Sequence, residues 1–518
     1  MLAPWTDRMF EISSSDLDIY DRVLPLQSPL LDALELIDWE ALDQQVRSFY
    51  SKDVGQPAIP PLIMLKLEFL SYFYRLSDAA VTQRASTDLL FRWFLQVPIR
   101  FRIPDSTSLT KFRGRLGSEG FKAVFDRLVA SAREHKLIRD RLRLKDATHV
   151  YADIAVPTTL TLLAQLRERM LAIVHRIDPQ ACEGFEIRVE QMHLETKDQD
   201  AQIILQERLS LVSDILLWLK ELPAQPPNKQ SEDLWEKLSS VVQLAEKIVT
   251  DSLHPGQGDR TLSVFDPDAR CGMHHGYYDG YMLDVMMDAD SQLITEVEVL
   301  PANGEEALDG VHLVKMEQET HGNQIETLSI DGAGFHGPSL RILEDPEGLA
   351  VNVITPPHDF NTKDRYPSSQ FELNADGDRV ICPAGKESGK VHYKADKPNT
   401  SFFDFAKGAC LECPLLAACQ PDMKATSRTG RRVSKNEYER EYEAAREKAK
   451  TAEYQAFRRE HPAIERKLNE IVRHHAGRRA RYRGCEKVQI QQLLTCIAIN
   501  VKRMVKLFQG AVCALSIE

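Results

Sequence analysis

The sequence predicts an α/β protein, with a mixed sheet flanked by helices and an all-α region ahead of it. Three observations lead there. From about residue 24 to 137 apolar positions recur at helical spacing, with no alternating run. Strand-like alternation then appears in "RLRLKDATHVYADIAVP" and, after a long helical stretch, in "GYYDGYMLDVMMDADSQLITEVEVLPANGEE". Beyond that point strands and helices alternate, the pattern of a mixed sheet covered by helices.

Residues 1–137 read as a helical N-terminal domain for DNA binding or dimerisation. Its start lacks the apolar stretch of a signal peptide. The most apolar run, "PPLIMLKLEFLSYFYRL", is interrupted by Lys66 and Glu68 and is too short to span a bilayer. A cytoplasmic protein is expected, without a membrane partner. In "RLSDAAVTQRASTDLLFRWFLQVPIRFRIPDSTSLTKFRGRLGSEGF" aromatics alternate with basic residues, Arg113 and Arg115 among them. That mixture suits a DNA-docking unit, while the aromatics alone suit a helical core. Ser106, after "PD", is placed to cap the next helix.

Residues 138–157 and 256–355 supply the first part of the sheet, and residues 158–255 are a helical insertion broken at "LPAQPPNKQSED". The strand of "RLRLKDATHV" is followed, past the insertion, by two strands joined at "DADSQL". A helix in "EEALDGVHLVKMEQETH", the strand "IETLSID", a helix at "PSLRILEDP" and the strand "LAVNVITPP" complete that part.

Residues 356–430 form a Cys-rich insertion. Cys382, Cys410, Cys413 and Cys419 give Cys, 27 residues, Cys-x2-Cys, five residues, Cys. Two such knuckles suit a tetrahedral Zn²⁺ held by thiolates, and a core-poor segment gains folding energy from one. The other cysteines, Cys182, Cys271, Cys485, Cys496 and Cys513, read as ordinary core or surface residues.

Residues 431–518 are a basic helical part. The formal net charge of the chain is -12, yet residues 421–510 hold 22 Lys and Arg against 11 Asp and Glu. A basic fifth on an acidic body is expected of a polyanion-binding surface. "NEYEREYEAAREKAK" can balance its own charge. "RHHAGRRARYRG" has no acid to pair with, which singles out Arg478, Arg479, Arg481 and Arg483, with Lys487 just beyond. His474 and His475 are expected to meet phosphate or solvent.

Three acids complete the reading. Asp146 lies in the first strand, Asp331 ends "ETLSID", and Glu465 lies in the helical run "REHPAIERKLNEIVRHH". Carboxylates converging from different elements can hold two divalent ions roughly 3.5–4 Å apart, the arrangement of two-metal phosphodiester chemistry, and Mg²⁺ favours such ligands. Asp153 competes with Asp146, and Glu460 and Glu470 compete with Glu465.

The order of these acids, with "SPLLDALELIDWEALDQQV" through "PDSTSLTKFRGRL", "DPDARCGMHHGYYDGYMLDVMMDADSQLITEVEVLPAN" and "GRRARYRGCEKVQIQQLLTCIAINVKRMVKL", resembles the bacterial insertion-sequence transposases of the DDE type. The resemblance implies a ribonuclease-H-like core completed by residues 431–518, with Asp146, Asp331 and Glu465 as the catalytic, metal-holding acids. It implies two Mg²⁺ (or Mn²⁺) ions per active site, with Asp146 bridging both. It also implies double-stranded DNA as partner, both transposon ends and target, and a homodimer or larger synaptic complex working on the bacterial nucleoid. Cleavage would free a 3′-OH that the same site directs at a target phosphate. Where many relatives carry an Arg four residues before the Glu and a Lys seven after it, this chain has His461 and Val472. The alternatives are a non-catalytic DNA-binding regulator derived from a transposase, and a metal-dependent nuclease without strand transfer.

Overall fold

A computed structural model of the chain describes residues 11–51, 58–254, 256, 258–273, 276–359, 365–424 and 426–515. Seven helices come first: α1 (Ser14–Val23), α2 (Pro29–Leu36), α3 (Trp39–Arg47), α4 (Pro61–Phe73), α5 (Asp78–Thr87), α6 (Leu89–Leu95) and α7 (Ser106–Glu134). Side-chain caps start several of them. Ser28 accepts the Leu30 N–H ahead of Pro29 at the head of α2. The cap of α7 is Asp105, which accepts from Ser108, one residue earlier than the expected Ser106. α7 kinks at Gly117, whose φ of 60° suits a residue without Cβ. The apolar run with two charges is α4, the buried centre of this region. Lys66 Nζ donates to Gln96 Oε1 at 2.8 Å and lies over the Trp39 and Phe94 rings, while Glu68 accepts from Arg113 at 2.6 Å. Among the described residues no helix is long and apolar enough to cross a membrane.

The sheet contains β1 (Arg143–Tyr151), β2 (Arg270–Met273), β3 (Tyr277–Asp288), β4 (Ile294–Pro301), β5 (Thr327–Ser329) and β6 (Asn352–Ile354). Its order is β2-β3-β1-β5-β6, with β4 also on β3. β3 runs antiparallel to β1, β2 and β4; β5 and β6 run parallel to β1. This is the ribonuclease-H-like arrangement, with one more short strand, β2, than the sequence pattern suggests. Between β1 and β2 come α8 (Thr159–Ile177), α9 (Pro179–Thr196), α10 (Ala201–Lys220) and α11 (Glu232–Leu253), packed on a core of their own.

The helix α12 (Glu306–His321) and α13 (Gly337–Leu343) cover one face of the sheet, where Met286, Leu313, Leu328 and Leu340 share a core. Late in the chain come α16 (Glu439–Ala449), α17 (Ala452–Glu460), α18 (Pro462–Asn469) and α19 (Cys485–Leu515). α18 packs on β1, and α19 packs on α7, α4, α2 and β4. Because α19 buries side chains on successive turns (Val488, Leu493, Ile497, Val501), one continuous core runs from the N-terminal helices through the other sheet face. The boundary expected at 137 is therefore not a boundary between cores. Nor is the region around Glu465 a single long helix. It breaks at His461 ahead of Pro462, and Glu470–His474 is a π-helical turn.

Between the sheet and these helices lies a small module: β7 (Glu372–Leu373), β8 (Val380–Ile381), β9 (His392–Lys394), β10 (Lys397–Asp404), α14 (Lys407–Leu411), α15 (Leu416–Cys419) and β11 (Arg432–Asn436). β11 pairs with β10, so the module runs past the boundary expected at 430.

Candidate active site

Alternation along β1 sends Lys145 towards α12 and Asp146 towards the opposite face, as their cross-strand partners Met286 and Val285 in different cores also require. β5 pairs in parallel beside β1, with Leu144 opposite Ser329, which brings Asp331 level with Asp146. Asp331 caps the short turn Gly332–Gly334 by accepting the Ala333 N–H at 2.9 Å. Asp146 accepts its neighbour's N–H, from Ala147, at 2.8 Å.

A third acid joins them that sequence reasoning missed. Glu306, the first residue of α12, lies with Asp146 and Asp331 so that one carboxylate oxygen from each falls within 4.8 Å of the others. Burial, reinforced by the Asp331 and Glu306 charges, pushes the Asp146 carboxyl up to about 7, and burial also raises Glu306. One cation reaches the edge of the group. Lys145, fully buried, contacts Glu306 at 3.3 Å and Asp284 at 2.7 Å. Three half-buried acids sharing part of one lysine are a donor set that fits a divalent cation.

Glu465 is not drawn into this group. It is exposed on α18, and no ion pair engages it among the described residues. Its competitors are engaged: Glu460 binds Arg141 at 2.9 Å, and Glu470 binds Lys467 at 2.7 Å. Asp153 is exposed beyond the end of β1, 3.8 Å from Arg483. At the position where many relatives have Arg, His461 contacts Ser329 Oγ at 3.1 Å, and burial together with Arg458 holds its imidazole down at about 4. Arg458 donates to the Ile330 carbonyl at 2.8 Å, just before Asp331.

The basic run follows the far end of β1. The Tyr151 N–H donates to the Arg478 carbonyl at 2.8 Å, and the Ala480 N–H donates to the Tyr151 carbonyl at 2.9 Å. Arg478 donates to Thr148 Oγ1 and the His149 carbonyl, Arg483 donates to the Asp153 carbonyl, and Arg481 lies over the Tyr72 ring. These contacts fix the arginines while leaving their charge largely unneutralised. Arg479 and Lys487 are exposed.

Two expectations are corrected here. Arg113 does not face a DNA surface: it is buried, bound to Glu68 and Asp78 and stacked on Tyr482. Basic residues beside aromatics look alike in sequence whether the cation–π contact is internal or external. Arg115 stays exposed, over the Tyr50 ring. His475 meets neither phosphate nor solvent, since burial holds it neutral, down at about 4.

Cys382, Cys410, Cys413 and Cys419 line one cavity of about 30 Å³, room for a single ion or water, together with Phe371, Phe405 and Arg431. Burial and then the other three sulfurs raise the Cys419 thiol, against the nearby Arg431. The Arg431 N–H donates to Cys410 Sγ at 3.4 Å. The sulfurs do not reach the 4.8 Å convergence of the carboxylates. Of the remaining cysteines, Cys182 and Cys496 are buried, Cys485 is half-buried and Cys271 is exposed, while Cys513 lies outside the described side chains. A second acid group, Asp126, Glu296 and His321, already holds a cation, Lys122, between its two carboxylates.

Residues 18–115 match a family described as a Transposase domain (DUF772), and residues 381–505 match one described as a Transposase DDE domain. The second match contains Glu465, the four cysteines and the basic run; Asp146, Glu306 and Asp331 lie outside both. Over 122 residues the chain is 25% identical to "Uncharacterized protein ORF8 in nfe locus" of Rhizobium meliloti, which is 22% of this chain and 56% of that protein. The chain thus spans little more than half the length of that relative. No solved structure matches.

Proposed function

The chain belongs to the DDE transposases of insertion sequences, and from that premise we propose that it cuts DNA at the ends of such an element and joins them to a target, using divalent cations held by Asp146, Asp331 and Glu465. One observation carries the reading: Asp146 on β1 and Asp331 just past the neighbouring β5, far apart in sequence, have their carboxylates within 4.8 Å in a group where, among the described residues, neither aspartate forms an ion pair. Bound there, a pair of Mg²⁺ or Mn²⁺ ions would stabilise the attacking and leaving oxygens of the phosphate. The chain's part is to hold the acids. β1 and β5 fix two of them against packed cores. α18, resting on β1, carries Glu465, exposed and without an ion pair among the described residues.

Arg478, Arg479, Arg481, Arg483 and Lys487, with Arg115, are the proposed DNA contacts, holding phosphates beside the acids through positive charge of which only that of Arg483 meets a carboxylate in an ion pair among the described residues, Asp153 at 3.8 Å. Two ends must be cut together, so a homodimer or larger assembly on nucleoid DNA in the cytoplasm belongs to the proposal. Cys382, Cys410, Cys413 and Cys419 are proposed to hold a structural Zn²⁺. The single-ion cavity lined by all four sulfurs, with a backbone N–H donated to Cys410 Sγ, supports it.

Incubation of the chain with end-containing duplex and Mg²⁺ tests the function. Joined products are expected. Cuts without joining reduce the protein to a nuclease, and mobility shifts alone reduce it to a DNA-binding regulator. Glu465→Gln is expected to lose cleavage while keeping end binding, with Glu460→Gln and Glu470→Gln active. Cleavage by Glu465→Gln at the wild-type rate would remove that residue from the site.

A further inference from the structure

The geometry points to Glu306 as a fourth acid of the metal centre, a ligand already in place before DNA arrives, with Lys145 as the residue that positions it. The inference rests on the reading of Asp146 and Asp331 as metal-holding residues and adds a member that the triad of acids does not contain.

Two independent features carry it. The first is place. Glu306 is the acid whose carboxylate closes the group with Asp146 and Asp331, whereas Glu465 stands outside it. Glu306 opens the sixteen-residue helix α12, which packs on β3 and β4, so its backbone is fixed by the same sheet that fixes Asp146. An acid in the first turn of a helix also meets the favourable end of the helix dipole, which eases the crowding of three like charges.

The second feature is the way Glu306 is held. Lys145 and Asp146 are consecutive on β1 and leave it on opposite faces. Lys145 is fully buried, and its ammonium contacts the Glu306 carboxylate at 3.3 Å, donates to the Glu306 backbone carbonyl at 3.1 Å and meets Asp284 at 2.7 Å. A buried ammonium with three oxygens around it is a costly arrangement unless it is well paired. Here it pins both the backbone and the side chain of one residue. The lone lysine is shared with Asp284, so it orients Glu306 without cancelling the charge of the whole acid group. The carboxylate therefore remains a ligand, turned towards the two aspartates. A strand thus delivers one ligand, Asp146, and the clamp on another from successive residues.

The readout is metal binding by the full-length chain without DNA, followed by Mn²⁺ calorimetry and the paramagnetic resonance of bound Mn²⁺. Wild type is expected to bind, Asp146→Asn to lose binding, Glu306→Gln to lose at least about tenfold in affinity, and Glu460→Gln, paired with Arg141 outside the group, to stay near wild type. Glu306→Asp keeps the charge on a shorter arm, and its affinity should fall between Glu306→Gln and wild type, which keeps the test decisive if the Gln variant folds poorly. Lys145→Arg should retain Mn²⁺ affinity better than Lys145→Met. If Asp146→Asn loses Mn²⁺ while Glu306→Gln and Glu306→Asp both bind as wild type does, Glu306 is no ligand and the Asp pair stands without it. If Asp146→Asn itself binds Mn²⁺ normally, the parent reading fails, and this one with it.

Discussion

Two places on β1 treat buried charge in opposite ways. At the start of the strand Arg143 is fully buried among Asp140, Asp288 and Glu317, and Arg133 reaches the same glutamate. One turn of the pleat further on, Asp146 faces Asp331 and Glu306, and the nearby Lys145 is divided between Glu306 and Asp284. In the first cluster every carboxylate is paired with a guanidinium of the chain. The second holds surplus negative charge that something from outside must neutralise. Buried charge with its own counter-charges is architecture; buried charge without them, fixed by the same strand, is a place for a ligand.

The sharpest way to break this contrast is at the second cluster. Asp146→Asn or Asp331→Asn is expected to lower cleavage of end-containing DNA by about three orders of magnitude or more, since metal-assisted charge stabilisation is worth several kcal/mol. Thermal unfolding of the metal-free protein should show no loss of stability, because a repelling charge has been removed. Lowered stability in these variants would mean that the acids are structural. Arg143→Met should do the converse. Leaving Asp288 buried without its cation, and Glu317 with Arg133 alone, costs about 3–5 kcal/mol, visible as a lower urea midpoint, with Mn²⁺ binding by the folded fraction unchanged.

The cysteine pocket extends the contrast to a metal that would serve folding. Purified protein should contain about one zinc per chain. A Cys410→Ser, Cys413→Ser variant should lose it, along with hydrogen-exchange protection in residues 372–436, leaving Mn²⁺ binding at the acids intact. Equal zinc in both proteins, or none in the wild type, would end that assignment. The smallest effect concerns Lys66, a buried cation with an amide and two rings for company. Burial lowers it to about 7 in the folded protein, from 10.5. The unfolded chain therefore binds the extra proton between those values, so stability rises as pH climbs from 7 towards 10.5 and is flat below 7 on this account. Lys66→Met should flatten that rise in urea midpoints taken at pH 7 and above.

Much of the scaffold was legible because alternation and helical spacing are strong signals. β1, β3 and β4 alternate, and Asp146 and Asp331 stand out as acids in or just after strand-like runs. What was not legible depends on partners distant in sequence. Glu306, in "NGEEALDG", looks like any acid in a first helical turn. Nothing local says that Lys145 and two aspartates wait for it. Arg113 carries the composition of a DNA contact and the environment of a core ion pair, a difference made by Glu68 and Asp78 on other helices. The strand β2 is four residues long, too short for a pattern. The break at His461 is signalled by Pro462, yet the apolar spacing of Ile464, Leu468 and Ile471 runs smoothly enough to suggest one helix.

The four-helix insertion has a kinetic meaning. Tyr151 at the end of β1 pairs with Gly280 on β3, so about 130 residues must be made before the central strand finds its first partner. At about 5–20 residues per second during synthesis, that is on the order of ten seconds of waiting. The insertion has its own core and can fold within that interval. Once it has, Arg260 donates to Thr159 Oγ1 at 2.6 Å, joining the two ends of the detour. The span left to close between β1 and β3 then shrinks to the short segments on either side, and with it the entropy of closure. A long excursion in the chain becomes a short one in space before the sheet begins to assemble.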